Sequence, residues 1–277
     1  MQISSGFRRR VWGGLAALLG TLLAGVAFLP AFPRFREVVE SPQVPECYQP
    51  GDQIDAATVV YDEQLQPRRL LDILVEGPPV TVLVLFGGAA LRTPPGEFRG
   101  PLWCQDSFDD LAVQRAVANS FRSDRVRFVG VAVPPVLGPE KYGFPGDLGI
   151  PGTLEQPAVR EALRRFVERT NELRDTGLLP YAELFFDPEL RLLRRSGVAP
   201  AWAARFKWAE DPRSYGVPTI WVLGRDGFVL APPFWGNDYG SRPPEIHYGY
   251  ADLVARIRQV LGEAAGPAEA APAAPGS

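Results

Sequence analysis

Two short runs, VTVLVLF at residues 80–86 and VRFVGVAV at residues 126–133, constrain the fold more than anything else in the chain. Both are apolar and rich in β-branched residues at consecutive rather than alternate positions, so each reads as a strand buried on both faces. A strand with no wet face needs a layer above and a layer below, and the surrounding pattern supplies them. Residues 107–121 place Phe108, Leu111, Ala112, Val113 and Val117 at helical spacing, with Asp109, Asp110 and Arg115 between them. Residues 157–174 predict a longer amphipathic helix, with Pro157 in its first turn and Gly177 beyond its end. Residues 182–186 predict a third strand, ended by Asp187 and Pro188. Residues 219–223 and 228–230 flank Arg225, Asp226 and Gly227, a turn signal that predicts a hairpin. A closing helix is expected over residues 251–261. The sum is an α/β domain, a three-layer sandwich with a central mixed sheet, parallel in part, and helices on both faces.

The flanks read differently. Residues 11–29 carry no charge and as a helix would be about 28 Å long, enough to cross a hydrocarbon core. Arg8, Arg9 and Arg10 precede the run. The positive-inside rule then leaves the N-terminus in the cytoplasm and the body on the far side of the cell membrane, as a single-pass protein with an extracytoplasmic, periplasmic domain. A cleaved signal peptide ending near Gly25, Val26 and Ala27 is the other reading, and it too exports the body. Residues 30–50, with Pro30, Pro33, Pro42, Pro45 and Pro50, read as a stiff linker. Residues 51–261 form the folded domain, and residues 262–277 are an Ala/Pro tail too poor in bulky apolar groups to pack.

Composition narrows the chemistry. The net charge of −3 includes the three N-terminal arginines, so the body is more acidic still and nucleic acid is not an expected partner. Two cysteines and one histidine exclude a thiolate-rich or multi-histidine metal site. A Cys47/Cys104/His247 copper site has no supporting local spacing, and neither metal nor cofactor is expected. What remains is Cys104, at the start of the first body helix. There, free backbone N–H groups and the helix dipole favour a thiolate, the species that attacks disulfides. The bland reading is a buried core cysteine. A second feature bears on it: Val217, Pro218 and Thr219 stand immediately before the apolar strand at residues 219–223, and an X-Pro bond is the one that adopts cis readily.

Strand, Trp103-Cys104-x-x, helix, strand, helix, strand, then Gly-Val-Pro-Thr before a hairpin: this order resembles the thioredoxin-like superfamily over roughly residues 50–261. Within it, the chain looks most like the redoxin group, the alkyl hydroperoxide reductase C/TSA-like proteins and their membrane-tethered relatives. The resemblance implies redox work at Trp103, Cys104 and Ser107. It also implies a cis proline at Pro218, with Val217, Pro218 and Thr219 holding the substrate. Ser107 stands where the family has its second cysteine, so a dithiol cycle inside the motif is excluded. Glu97 and Pro101 occupy the positions where a peroxiredoxin has its proline and threonine, and the insertion at residues 89–102 is longer than in thioredoxins.

Two functions follow as expectations. One is a single-thiol oxidoreductase or antioxidant acting on protein or small-molecule thiols and disulfides, resolved by an external reductant or by Cys47; a static Cys47–Cys104 disulfide is the structural variant. The other is a redox-inactive module that binds an extended peptide beside Pro218. The aromatics Trp202, Phe206, Trp208, Tyr215, Phe234, Trp235 and Tyr239 read as core cover or as the wall of a substrate groove. His247 reads as a packed or surface residue.

Overall fold

A computed structural model describes residues 48, 50–94, 96, 100–135, 138–146, 153–190, 192, 217–231, 234–235 and 249–262, all within one compact unit, Val44–Ser277. Residues 1–47, which hold the apolar run, most of the expected linker and Cys47, lie outside the described residues, as does the tail from residue 263. Among the described residues no helix is long and apolar enough to cross a membrane.

The buried runs form the centre of the sheet. Strand β3 (Val80–Gly87) is buried at every position and pairs in parallel with β4 (Val126–Val133), which pairs in parallel with β5 (Glu183–Phe186). On its other side β3 pairs antiparallel with β6 (Thr219–Gly224), so the sheet is mixed, as expected. Side chains alternate across it: Val82, Val84 and Phe86 enter one core, Leu83 and Leu85 the other. The first core is closed by α3 (Leu111–Ala118), α4 (Pro157–Asp175) and α5 (Tyr250–Val260). Helix α4 shows why it docks there: Val159, Ala162, Leu163, Phe166, Val167 and Thr170 recur at three- and four-residue steps on one buried stripe. Phe166 meets the rings of Phe144 at 5.7 Å and Phe186 at 5.9 Å.

The second core is covered by α1 (Leu70–Val75), which contributes Leu70, Ile73 and Leu74. Before α1, β1 (Val59–Tyr61) and β2 (Pro67–Arg69) extend the sheet beyond β5. Packing in this layer reaches back into the expected linker, because Tyr48 is buried against Trp221 with ring centroids 6.0 Å apart. Its hydroxyl also accepts the Asp55 amide at 3.0 Å.

Two expected elements differ in detail. The helix expected over residues 107–121 starts earlier and is divided into α2 (Gln105–Asp109) and α3, joined through the fully buried Asp110. The hairpin arm after Gly227 bridges back to Leu223 through Val229, bridges Gln53 through Phe228, and pairs again as β7 (Phe234–Trp235) against Thr219 and Ile220.

Candidate functional site

Three segments converge at one end of the sheet. The parallel register sets Gly87 beside Val133, and the antiparallel register sets Leu85 beside Thr219, so Val217 and Pro218 arrive next to the end of β3. Cys104 sits over this end. It is the N-cap of α2, with extended backbone (φ −107°, ψ 118°), and its carbonyl accepts the Phe108 amide at 3.2 Å. Its side chain carries a free thiol, half-buried, whose sulfur donates to the Val217 carbonyl at 3.4 Å. The Val217–Pro218 peptide is cis. The sequence motifs separated by more than a hundred residues are thus in contact.

Trp103 fixes the approach to the thiol. Its indole Nε1 donates to the Val133 carbonyl at 2.6 Å and its backbone amide to the Gly88 carbonyl at 3.0 Å. Ser107 is fully buried, and its Oγ accepts the Gly87 amide at 2.9 Å. Thr219 is fully buried and flanked on both sides, by Leu85 of β3 and Trp235 of β7, and Val217 and Pro218 ahead of it are buried as well.

The electrostatics correct one expectation. The backbone N–H groups of Asp106 and Ser107 and the Ser107 hydroxyl do favour the thiolate, as a helix start should. Burial outweighs them, with a smaller contribution from the Asp106 carboxylate, and the Cys104 thiol is pushed up to about 11. At neutral pH the resting group is a protonated thiol.

Sequence reasoning missed Gly87 as a site residue. A Cβ there would lie 2.4 Å from the Cys104 Cβ and 3.0 Å from the Trp103 ring. Only glycine lets the thiol segment pack onto the strand end, and a glycine ending an otherwise bulky strand was the available signal. Tyr142, at the end of a 3-10 turn (Pro139–Tyr142) after β4, is the other omission; its ring stands 6.0 Å from that of Trp103. Cys47, His247, Trp202, Phe206, Trp208, Tyr215 and Tyr239 lie outside the described residues.

Replacing Ser107 by alanine would leave the Gly87 amide buried without its acceptor, an expected loss of about 1–3 kcal/mol. The same change removes a donor to the sulfur, so the Cys104 midpoint rises further. Denaturant unfolding and the pH dependence of alkylation read the two effects separately.

A thiol at a helix start thus stands beside a cis proline, at one end of a mixed sheet covered on both faces. No protein-family model matches the chain, and no curated protein does. Solved structures do. One is a secreted disulfide oxidoreductase of Mycobacterium tuberculosis homologous to E. coli DsbE, at 13% identity over 73% of this chain and 95% of that one, TM-score 0.35. The peroxidoxin BcpB of M. tuberculosis is similar at 17% identity over 78% and 97%, TM-score 0.38. A thiol peroxidase from Chromobacterium violaceum is similar at 12% identity over 79% and 91%, TM-score 0.42. These likenesses are distant, and what the chain does rests on its own residues.

Proposed function

We propose that the protein is a thiol–disulfide oxidoreductase that works through the single thiol of Cys104. The observation that carries this reading is the contact between the Cys104 sulfur and the Val217 carbonyl at 3.4 Å, which puts the thiol beside the cis Val217–Pro218 peptide. In the reaction, the Cys104 thiolate attacks one sulfur of a disulfide R–S–S–R′. A Cys104–S–S–R bond forms as the original bond breaks, and R′S⁻ leaves, taking up the proton that Cys104 released. An external thiol R″SH then attacks the R sulfur and gives R–S–S–R″ and the Cys104 thiol. A second external thiol completes the reduction of R. Ser107 cannot resolve the intermediate, so the reductant comes from outside the motif, and Cys47 is a candidate for that role.

The raised thiol pKa sets the tempo. Against a thiol titrating near neutrality, Cys104 has about ten-thousandfold less thiolate at pH 7, but its greater intrinsic nucleophilicity recovers roughly a hundredfold. The net deficit is on the order of a hundredfold, slow rather than inert. Such a thiol is also a poor leaving group, so its release from the mixed disulfide is slow as well. Residues 11–29 with the preceding arginines support an exported domain tethered to the cell membrane.

The half-buried, protonated thiol also favours a second reading, a redox-inactive module that holds a peptide at Val217. Turnover of a peptide disulfide with an external thiol separates the two. The full chain is expected to accelerate it, Cys104→Ala to lose the acceleration entirely and Cys47→Ser to report whether Cys47 takes part. Equal rates with and without Cys104 would leave the binding module.

A further inference from the structure

We propose that Arg92 is a positioning residue for Cys104: by pinning the start of the insertion, residues 90–92, to the turn after β4, it holds Tyr142 against Trp103 and keeps water from the thiol. The inference rests on Cys104 being the reactive group. The insertion leaves the end of β3 and returns directly into Trp103 and Cys104. Its base is closed by a bridge between Ala89 and Leu102 and by the Ala90 amide donating to the Pro101 carbonyl at 2.9 Å.

Arg92 then fastens it to three consecutive carbonyls of the 3-10 turn. Its backbone amide donates to Tyr142 at 3.0 Å, its Nη2 to Glu140 at 2.7 Å and its Nε to Lys141 at 3.4 Å. A planar guanidinium reaches two such acceptors at once, which an ammonium does not do with fixed geometry. The turn is shaped for the contact: Gly143 has φ +89°, and a Cβ on it would lie 3.2 Å from that of Leu91 and 3.4 Å from that of Arg92. Through this clasp Tyr142 is held in both cores and against the Trp103 ring, whose other side is tied to Val133. Trp103 adjoins Cys104, and burial is the largest influence on that thiol.

The sign of the effect discriminates. Arg92, Glu140 and Lys141 are exposed, and the charge that bears on the thiol is Asp106 on its own helix. Loss of the Arg92 positive charge alone would raise the Cys104 midpoint, whereas loss of shielding lowers it.

The test is the pH dependence of Cys104 alkylation in the full chain carrying Cys47→Ser. Arg92→Ala is expected to lower the midpoint by at least about one unit, toward the ordinary thiol value, and to speed alkylation at neutral pH about tenfold. Gly143→Ala, which strains the same junction, should shift it the same way. Arg115→Ala is the control, since its Nη2 donates to the Gly177 and Leu178 carbonyls at 2.6 and 2.7 Å at the far end of α4. It should cost stability and leave the midpoint in place. Should Arg92→Ala fail to fold, Arg92→Lys reads the same midpoint with the charge retained. A midpoint that stays put or rises in the Arg92 and Gly143 variants, with stability lost as in Arg115→Ala, would overturn the proposal. Absence of disulfide exchange in the parent chain would count against the Cys104 oxidoreductase alone, because alkylation needs no disulfide substrate.

Discussion

From about pH 7 to about pH 10, the rate at which Cys104 attacks a disulfide is expected to climb about tenfold per pH unit, roughly a thousandfold in all and without a plateau. The reason is the balance at the sulfur. Two backbone amides and the Ser107 hydroxyl stabilise the thiolate, but burial against the second core strips it of water, and the thiol is pushed up to about 11. The reactive fraction therefore keeps growing across the whole range. A thiol governed by its helix start alone would reach its plateau near neutrality. Stopped-flow reaction with an aromatic disulfide, in the Cys47→Ser chain, measures this directly. A plateau below about pH 8.5 would mean that the sulfur is wetter than its packing indicates.

The next largest effect is expected at Gly87. An alanine there forces its Cβ to within 2.4 Å of the Cys104 Cβ, and neither atom is the end of a flexible side chain. Gly87 is held in the ladder opposite Val133, its amide is bonded to Ser107, and Cys104 leads into α2. Either the strand end or the thiol segment must move. Overpacking of this kind costs about 1–3 kcal/mol. The displaced segment should also lose the Cys104–Val217 contact, so Gly87→Ala lowers the unfolding midpoint and cuts disulfide exchange at least about tenfold. Gly96→Ala, whose Cβ would meet nothing within 4 Å, is the comparison, although its φ of +80° carries a strain of its own. Unchanged exchange in a folded Gly87→Ala protein would show that the thiol segment accommodates the methyl group.

The central layer was legible because burial on both faces leaves an unambiguous trace: residues 126–133 are a strand with the expected bounds, and residues 80–86 extend by one to Gly87. The long helix was equally plain, since its apolar stripe is continuous from Val159 to Thr170. The edge was not. Strand β2 is Pro67, Arg68 and Arg69, exposed throughout, and its pairing with β1 is set by neighbours rather than by its own side chains. The α2–α3 junction escaped because Asp110 reads as a surface charge and is instead fully buried.

At the site, the meeting of Cys104 with Val217 and Pro218 was implied by the family resemblance alone, and the sheet produces it because the antiparallel β6 starts where β3 ends. The thiol's high pKa did not follow. Helix position is a local property written in the sequence, whereas desolvation depends on packing against a core drawn from distant parts of the chain, Val217 among them. The clasp by Arg92 was hidden for the same reason, since its partners are backbone carbonyls that carry no sequence signature.

The most direct test of Cys104 as the working thiol is capture of its mixed disulfide. The full chain carrying Cys47→Ser is mixed with a disulfide-linked peptide at mildly alkaline pH, quenched with acid, and read by intact-mass and peptide mass spectrometry. The expected result is one peptide adduct per folded chain, on Cys104, released by added thiol and persisting for lack of a second cysteine in the motif. Adduct formation only after the protein is unfolded would contradict it and mark Cys104 as a structural cysteine.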